Sequence, residues 1–509
     1  MLVQPPCWVT ETPPYNISLL KAVCQSHGFE VVCLDLNIKF YNALLGNNNG
    51  QLYNNPPDWI NSEYVRKIIE NYNYVVDKYT EYILGVSCRV VGFTVNAMNK
   101  IFAEELAKRI KYKDKDKIII FGGPECFSPV ERKSLLLGNN CVDAVCSFEG
   151  EKALPLLLTC INNNREICVP GIVYRNNDKI IDGGDVSCVD DLNSLPFADY
   201  SDFQMDSYTS KALPISTSRG CINKCLFCSE FRFWRKYRYR DAENIFEEIR
   251  CQKQRSPSIS HFFFNDSLIN GNIRNLDKLC QLIIDSHLDI SWGGQAAIRE
   301  EMTPDFIAKM KAAGFSHVSY GLESASPKML KIMGKRFAPE VAERVIRSTK
   351  KMGIRTCVNI IVGFPGEEEE DILATAKFLR RNKEFIDEML FHPLVINRGA
   401  YLDENRELFG IKLNREHNLY DWYSTKEDNS LAKRIDTIKF YKHFIGIEGK
   451  SFFRPAEYYL CIADSYYSKE DYLNAFKYYI RAKRYNTDKF REPFIAERLQ
   501  KLQEQLKNL

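Results

Sequence analysis

Three cysteines stand within eight residues, Cys221, Cys225 and Cys228, in the run Ser218-Arg219-Gly220-Cys221-Ile222-Asn223-Lys224-Cys225-Leu226-Phe227-Cys228-Ser229-Glu230. The spacing C-x3-C-x2-C lets a single loop turn three thiolates toward one metal centre. Four-thiolate iron–sulfur clusters take a fourth cysteine, and the next one here, Cys251, falls well inside a helical pattern. Three thiolates leave one iron open to a substrate or cosubstrate, as an open catalytic metal position requires. A zinc site asks for four ligands, commonly as paired C-x2-C groups, and no partner pair is present.

The elements that must position this loop are periodic. An apolar strand-like run over 213–218 precedes it, and a helical pattern over 241–249 follows. Five more strand-like runs, at 261–266, 288–295, 317–323, 356–365 and 388–397, alternate with helical patterns. Alternating strand and helix implies parallel pairing through right-handed crossovers. In such barrels the chemistry sits at the strands' carboxyl ends. Those ends carry Asn265-Asp266, Gln295, Glu323 and Gly363-Phe364-Pro365-Gly366.

Residues 1–165 read as a separate doubly wound α/β unit. Its strand-like runs lie at 1–4, 30–36, 90–95, 117–121 and 143–147, with helical patterns such as 17–27, which Gly28 stops, and 100–111. Ligands of this fold sit at the strands' carboxyl ends. Gly122-Gly123-Pro124-Glu125 follows the fourth run and Phe148-Glu149-Gly150-Glu151 the fifth. A glycine pair lets a flat or bulky ligand approach the backbone closely.

The cysteine run, with aromatic Phe227 just before Cys228, resembles the signature of the radical S-adenosylmethionine (radical SAM) superfamily, and the six strand–helix units match its partial (β/α)6 barrel over 211–400. The resemblance implies a [4Fe-4S] cluster on Cys221, Cys225 and Cys228 whose remaining iron chelates the amino and carboxylate groups of S-adenosylmethionine (SAM). Reductive cleavage of SAM would then give a 5′-deoxyadenosyl radical that takes hydrogen from an unactivated carbon. By the same resemblance Phe227, Asp266, Gln295 and Glu323 belong to the cofactor site, and Gly363 and Gly366 shape the floor near adenine. Arg299 is suited to meet the SAM carboxylate bidentately.

The N-terminal unit resembles the Rossmann-like cobalamin-binding domain found before many such barrels, as in class B methyltransferases. This implies that Gly122, Gly123 and Glu149 lie against cobalamin, and that a methyl group passes from methylcobalamin to the substrate radical. One departure stands out. The D-x-H-x-x-G ligand motif is absent, its loop reading Thr94-Val95-Asn96-Ala97-Met98-Asn99, and the only histidine of this third is His27, at a helix end. Cobalamin would therefore lack a histidine lower ligand. Alternatively the unit only shapes a substrate pocket, and the reaction is a cobalamin-independent coupling, cyclisation or rearrangement. A methylthiotransferase reading lacks the N-terminal cysteine set and basic tail it needs. A non-catalytic iron–sulfur sensor or scaffold is the remaining alternative.

With 509 residues, 45% hydrophobic and 27% charged, the chain has material for two or three domains. Its net charge of +3 is too weak to argue for nucleic acid. Arg232, Arg235, Lys236, Arg238 and Arg240 do interleave with aromatics, a pattern that can bind RNA, but the stretch also matches the segment after the cluster loop in cobalamin-type radical SAM enzymes. No uninterrupted apolar run approaches the ~18 residues of a membrane span, and the start lacks a signal-peptide pattern. Seventeen cysteines in such a chain suggest reduced thiols in the cytoplasm.

Residues 166–210 form a linker, with a hairpin turning at Asn176-Asn177-Asp178. Residues 401–509 read as helical, and Tyr459, Ile462, Ala463, Tyr466, Ala475, Tyr479 and Ala482 follow one tetratricopeptide (TPR)-like repeat over 455–488. That segment would cap the barrel or dock a protein partner. Tyr401, Tyr420, Trp422 and Tyr423 are candidates to line the substrate cavity. A small-molecule, lipid or peptide substrate and a reducing partner such as flavodoxin or ferredoxin complete the expectations.

Overall fold

A computed structural model describes all residues except 47–49, 55, 128, 178, 185–187, 415–420, 448–454, 469, 487–490 and 508–509. Tyr420, Asp178 and part of 455–488 thus lie outside the described residues. The chain divides into two compact units, one of Met1–Ile215 with Glu247–Phe263 and one of Ser216–Phe246 with Phe264–Leu509.

The first unit carries β1 (Leu2–Gln4), β2 (Cys33–Asp35), β3 (Val90–Thr94), β4 (Ile118–Gly122), β5 (Ala144–Cys146), β6 (Ile172–Asn176) and β7 (Lys179–Asp182) in one sheet, ordered β2-β1-β3-β4-β5-β6-β7. The first five strands pair in parallel. Helices Tyr15–Ser26, Lys100–Lys113 and Gly150–Asn162 lie between strands of this sheet in sequence. The first of these stops where Gly28, at φ +83, donates its N–H back to the Gln25 carbonyl. The hairpin expected within the linker instead extends this sheet, β6 pairing antiparallel with β5 and β7 with β6. The 199–208 stretch is also tied to this unit. Lys21 bridges Asp199 and Asp202 at 3.3 and 2.8 Å, and Tyr208 donates to Asp35.

Further along come β8 (Ala212–Ile215), β9 (Ser218–Arg219), β10 (Arg238–Tyr239), β11 (His261–Phe264), β12 (Ser291–Ala296), β13 (Phe315–Glu323), β14 (Arg355–Val362) and β15 (Glu388–Pro393). Six of them form a sheet ordered β15-β14-β13-β12-β11-β8, parallel along β12 to β15. Within the second unit, helices Pro304–Ala312 and Pro327–Met333 begin at Thr303 and Ser326, whose hydroxyls accept from the third N–H beyond them, with proline at the first helical position.

Two features were not expected. The end of the basic run pairs with the start of the cysteine run, β10 lying antiparallel to β9. Within 401–509 a small hairpin of β16 (Ile411–Leu413) and β17 (Trp422–Ser424) precedes the helices. Helices Leu431–Ile445, Pro455–Ser468, Tyr472–Tyr485 and Arg491–Lys507 then share a core that includes Ile435, Tyr459, Ala463, Ala475, Tyr479, Ala482 and Ile495. No helix among the described residues is long and apolar enough to cross a membrane.

Candidate active site

The cysteine loop is held by backbone at both ends. Gly220 sits at φ +81, and a Cβ there would stand 2.9 Å from the Lys236 carbonyl and 3.1 Å from the Trp234 Cβ. Only glycine takes that conformation cheaply in so tight a place. Further on, Leu226 donates to the Met333 carbonyl at 3.1 Å and accepts from Leu402 at 3.0 Å, while Asn397 donates to the Phe227 carbonyl. The side chains of Leu226 and Phe227 pack on a core of Met329, Met333, Phe364 and Trp422.

Cys221, Cys225 and Cys228 are all half-buried and unbridged. Burial pushes all three thiols up, Cys228 to about 12, so a bound metal's charge is needed to keep them as thiolates. Among the described residues, no group of three or more His, Cys, Asp and Glu side chains converges on a single metal ion. In an iron–sulfur cube each thiolate takes a different iron, so the donor chemistry suits a cluster better than one zinc ion.

Beside the loop lies a charged pair. Glu323 ends β13 at φ +63, where the register with β14 shifts. Lys335 donates to Glu323 at 3.1 Å and to the Gly321 carbonyl at 3.0 Å, and the two side chains are only 11% and 10% exposed. Its ammonium lies 5.6 Å from the Phe227 ring centroid. Burial works against the lysine's charge, but Glu323 and the thiols of Cys225 and Cys228 more than offset this and hold its pKa above the ordinary value. A Cβ on Gly321 would come within 2.6 Å of Glu323 Oε1 and 3.1 Å of Lys335 Nζ, so the pair folds over that glycine. The sequence reading missed Lys335. Its signal was Gly334, which caps helix Pro327–Met333 at φ +82 and turns the next residue back.

The other predicted residues are more engaged than expected. Asp266 accepts from the N–H groups of Thr217 and Ser218 at 2.8 and 3.0 Å and from the hydroxyls of Ser216 and Thr217. It thereby braces the loop leading into the cysteines, and burial pushes its carboxyl up to about 6. Arg299 donates to the carbonyls of Asn270 and Gly271 and to Glu301. Gln295 stands exposed on β12. Gly363, at φ +80, faces Arg434, whose Cγ would lie 2.3 Å from an added Cβ, while Gly366 meets nothing within 4 Å. Trp422 is buried beneath the Arg434 guanidinium, 3.9 Å from its ring centroid, and Tyr401 is exposed at 39%.

In the first unit, Gly123 has φ +108, and the space a Cβ would fill is taken by the chain's own Val95 carbonyl at 2.7 Å. Gly122 is in ordinary contact with Cys146. Glu149 is buried and accepts from the Val189 N–H at 2.6 Å. The 94–99 loop closes on itself, the Asn96 N–H donating to Asn99 Oδ1 and the Asn99 amide to the Thr94 carbonyl. It presents no imidazole, and His27 turns its ring to the Val23 carbonyl.

Residues 215–379 match the model of the radical SAM superfamily. The chain carries a radical SAM domain. It is similar to an uncharacterised methyltransferase of Pyrococcus horikoshii, 29% identical over 307 residues, or 57% of this chain and 64% of that protein. It is also similar to the anaerobic magnesium-protoporphyrin IX monomethyl ester cyclase of Rubrivivax gelatinosus, 26% identical over 60% of this chain and 56% of that one. The chain thus aligns with less than two thirds of either relative's length. In fold it resembles the radical SAM methyltransferase TsrM of Kitasatospora setae, solved with cobalamin and a [4Fe-4S] cluster, with a TM-score of 0.65 at 15% identity over 99% of this chain and 98% of that one.

Proposed function

We propose that this chain is a radical SAM enzyme that methylates an unactivated carbon with the help of cobalamin. The observation that carries the reading is the three-thiol loop beside the buried Lys335–Glu323 pair, inside the region that matches the superfamily model. Cys221, Cys225 and Cys228 would hold a [4Fe-4S] cluster. Lys335 suits the carboxylate of SAM and Glu323 its ammonium or ribose hydroxyls. Phe227 covers the loop on the Phe364 side, their rings meeting edge to face at 6.4 Å, and so helps exclude water. When bound, the cluster supplies an electron, SAM a cleavable sulfonium and cobalamin a transferable methyl group.

Residues 1–165 would be the Rossmann-like cobalamin-type domain, 166–210 a linker, 211–400 a partial barrel and 401–509 a helical region with one TPR-like repeat. The order β2-β1-β3-β4-β5 supports the first assignment, because it is flavodoxin-like and has its switch point between β1 and β3. The self-closed 94–99 loop fits only a corrin without a histidine ligand. It also favours a second reading, cobalamin-independent ring formation, in keeping with the cyclase relative. The substrate would be a small molecule, lipid or peptide, the reductant flavodoxin or ferredoxin, and the compartment the cytoplasm.

Anaerobic purification with cluster reconstitution and added cobalamin separates the readings by iron and cobalt counts. About four irons with stoichiometric retained cobalt is the expected result. Iron without cobalt would leave the ring-forming reading, and absence of iron would sink both.

A further inference from the structure

One face of the sheet formed by β12 to β15 is polar, which is unusual for parallel strands, since these normally read as apolar on both sides. The other face is conventional, with Tyr320, Val358, Ile360 and Phe391 all buried and Phe391 stacked on Tyr441 at 5.4 Å. On the polar face, register places Gln295 beside Ser319 and Ser319 beside Cys357. The Asn359 amide donates to Ser319 Oγ at 2.8 Å and to the Tyr320 carbonyl at 3.5 Å. His392 Nε2 meets Asn359 Oδ1 at 3.3 Å.

These contacts are best met by one imidazole tautomer. The Tyr320 carbonyl can only accept, so the Asn359 nitrogen points at it and Oδ1 is left to accept from His392 Nε2. His392 Nδ1 is then a bare acceptor, and no described residue pairs with it. Desolvation holds this histidine's pKa below its ordinary value, with Glu323 pulling the other way, while its side chain stands exposed on β15. The Gln295 amide is likewise exposed and without a partner among the described residues. The row adjoins the site already described, since Gly321, over which Lys335 and Glu323 fold, is the register partner of Asn359.

Both side chains are exposed on their strands, so their open polar atoms meet solvent until a ligand replaces it. The two open groups here are uncharged. The nearby ammonium of Lys335 is taken by Glu323 and, in the reading above, by the SAM carboxylate. We propose that this row is the substrate-recognition surface, and that it takes an uncharged group bearing an N–H or O–H, such as an amide or a hydroxyl, with His392 Nδ1 as its acceptor and Gln295 as its second contact. A plain alkyl chain would find no hydrogen-bond partner there, and a phosphate or carboxylate would face the acceptor His392 Nδ1 with no cation among the described contacts to offset its charge. The inference rests on the radical SAM reading and names its substrate class.

The test uses the full reconstituted chain with ring-13C-labelled histidine. The seven histidine signals are followed by NMR, with His392 assigned from the His392→Phe variant. Three matched probes are titrated at millimolar concentration: benzamide, benzoate and ethylbenzene. We expect benzamide alone to move the His392 signal. Its binding, read by saturation of the probe's own signals, should weaken roughly fivefold or more in His392→Phe and recover in His392→Gln, which keeps an acceptor. SAM binding by calorimetry serves as the control and should be equal in wild type and both variants. Selective binding of benzoate or of ethylbenzene would overturn the substrate class, as would no response to any probe. Loss of SAM binding in the wild type would instead defeat the radical SAM reading.

Discussion

The Lys335–Glu323 pair offers a sharp test of how the site is built. Replacing Lys335 by methionine keeps much of the stem but removes two hydrogen bonds and the only charge bonded to Glu323 among the described contacts. At 3.1 Å and an effective dielectric of 20, the attraction lost is about 5 kcal/mol. Desolvation of both ions offsets part of it, and breaking such a pair on one side costs about 3 kcal/mol. Removing both charges, in the double variant with Glu323→Gln, should restore most of that loss, because no uncompensated charge remains buried. The lysine's pKa is raised in the fold, so its contribution is full at every pH below its unfolded value, ~10.4, and fades only as pH passes the higher folded value. The penalty should therefore be the same at pH 7 and pH 9. Urea unfolding of the metal-free protein measures the stability, and calorimetry with SAM the binding, which should fall by about tenfold or more in the single variant. A Lys335→Met protein with wild-type urea midpoint and wild-type SAM affinity would refute this reasoning.

Three further outcomes are expected. Burial raises the Asp266 carboxyl to about 6 from an ordinary 3.8, so the folded state holds its proton more tightly. Stability should thus drop by up to about 3 kcal/mol as pH rises from 4 to 7, and urea midpoints should lose that slope in Asp266→Asn. Gly363→Ala forces a Cβ to within 2.3 Å of buried Arg434 at φ +80, and should cost more than about 1 kcal/mol by the same assay. Serine at Cys221, Cys225 or Cys228 should each reduce bound iron from about four per chain to a small fraction, read by iron analysis after anaerobic reconstitution. Retention of full iron by any one of them would remove that thiol from the ligand set.

The strand–helix alternation was legible because the strands are short runs with at least one apolar face, bounded by polar turns. Every strand of the two main sheets lies within or close to its expected range, and Gly28 stops its helix as read. What escaped notice depends on distant contacts. The β9–β10 pair joins residues whose sequence reads as a basic, aromatic run, and only Gly220 at φ +81 hints that the chain doubles back there. Gly363 was singled out for the adenine floor, and its positive φ fits a glycine turn, yet its neighbour is Arg434, seventy-one positions away, for which no local pattern exists. Gly123 has the conformation a glycine turn implies, but the close approach it permits is by Val95 of the same chain. Asp266 was chosen through the family resemblance and Arg299 for its residue type just beyond a strand end, and both are bonded to neighbouring loops. Lys335 shows the converse, a functional candidate placed by a helix cap that is readable in sequence.

The measurement that bears most directly on the central claim is the electron paramagnetic resonance spectrum of the reduced, anaerobically reconstituted chain, taken with and without SAM. A cluster on three thiolates with one open iron should give a reduced [4Fe-4S] signal whose g values and line shape change when SAM binds, and the Lys335→Met variant should lose that change while keeping the signal. A spectrum indifferent to SAM, or a chain that binds zinc and gives no iron–sulfur signal, would contradict it.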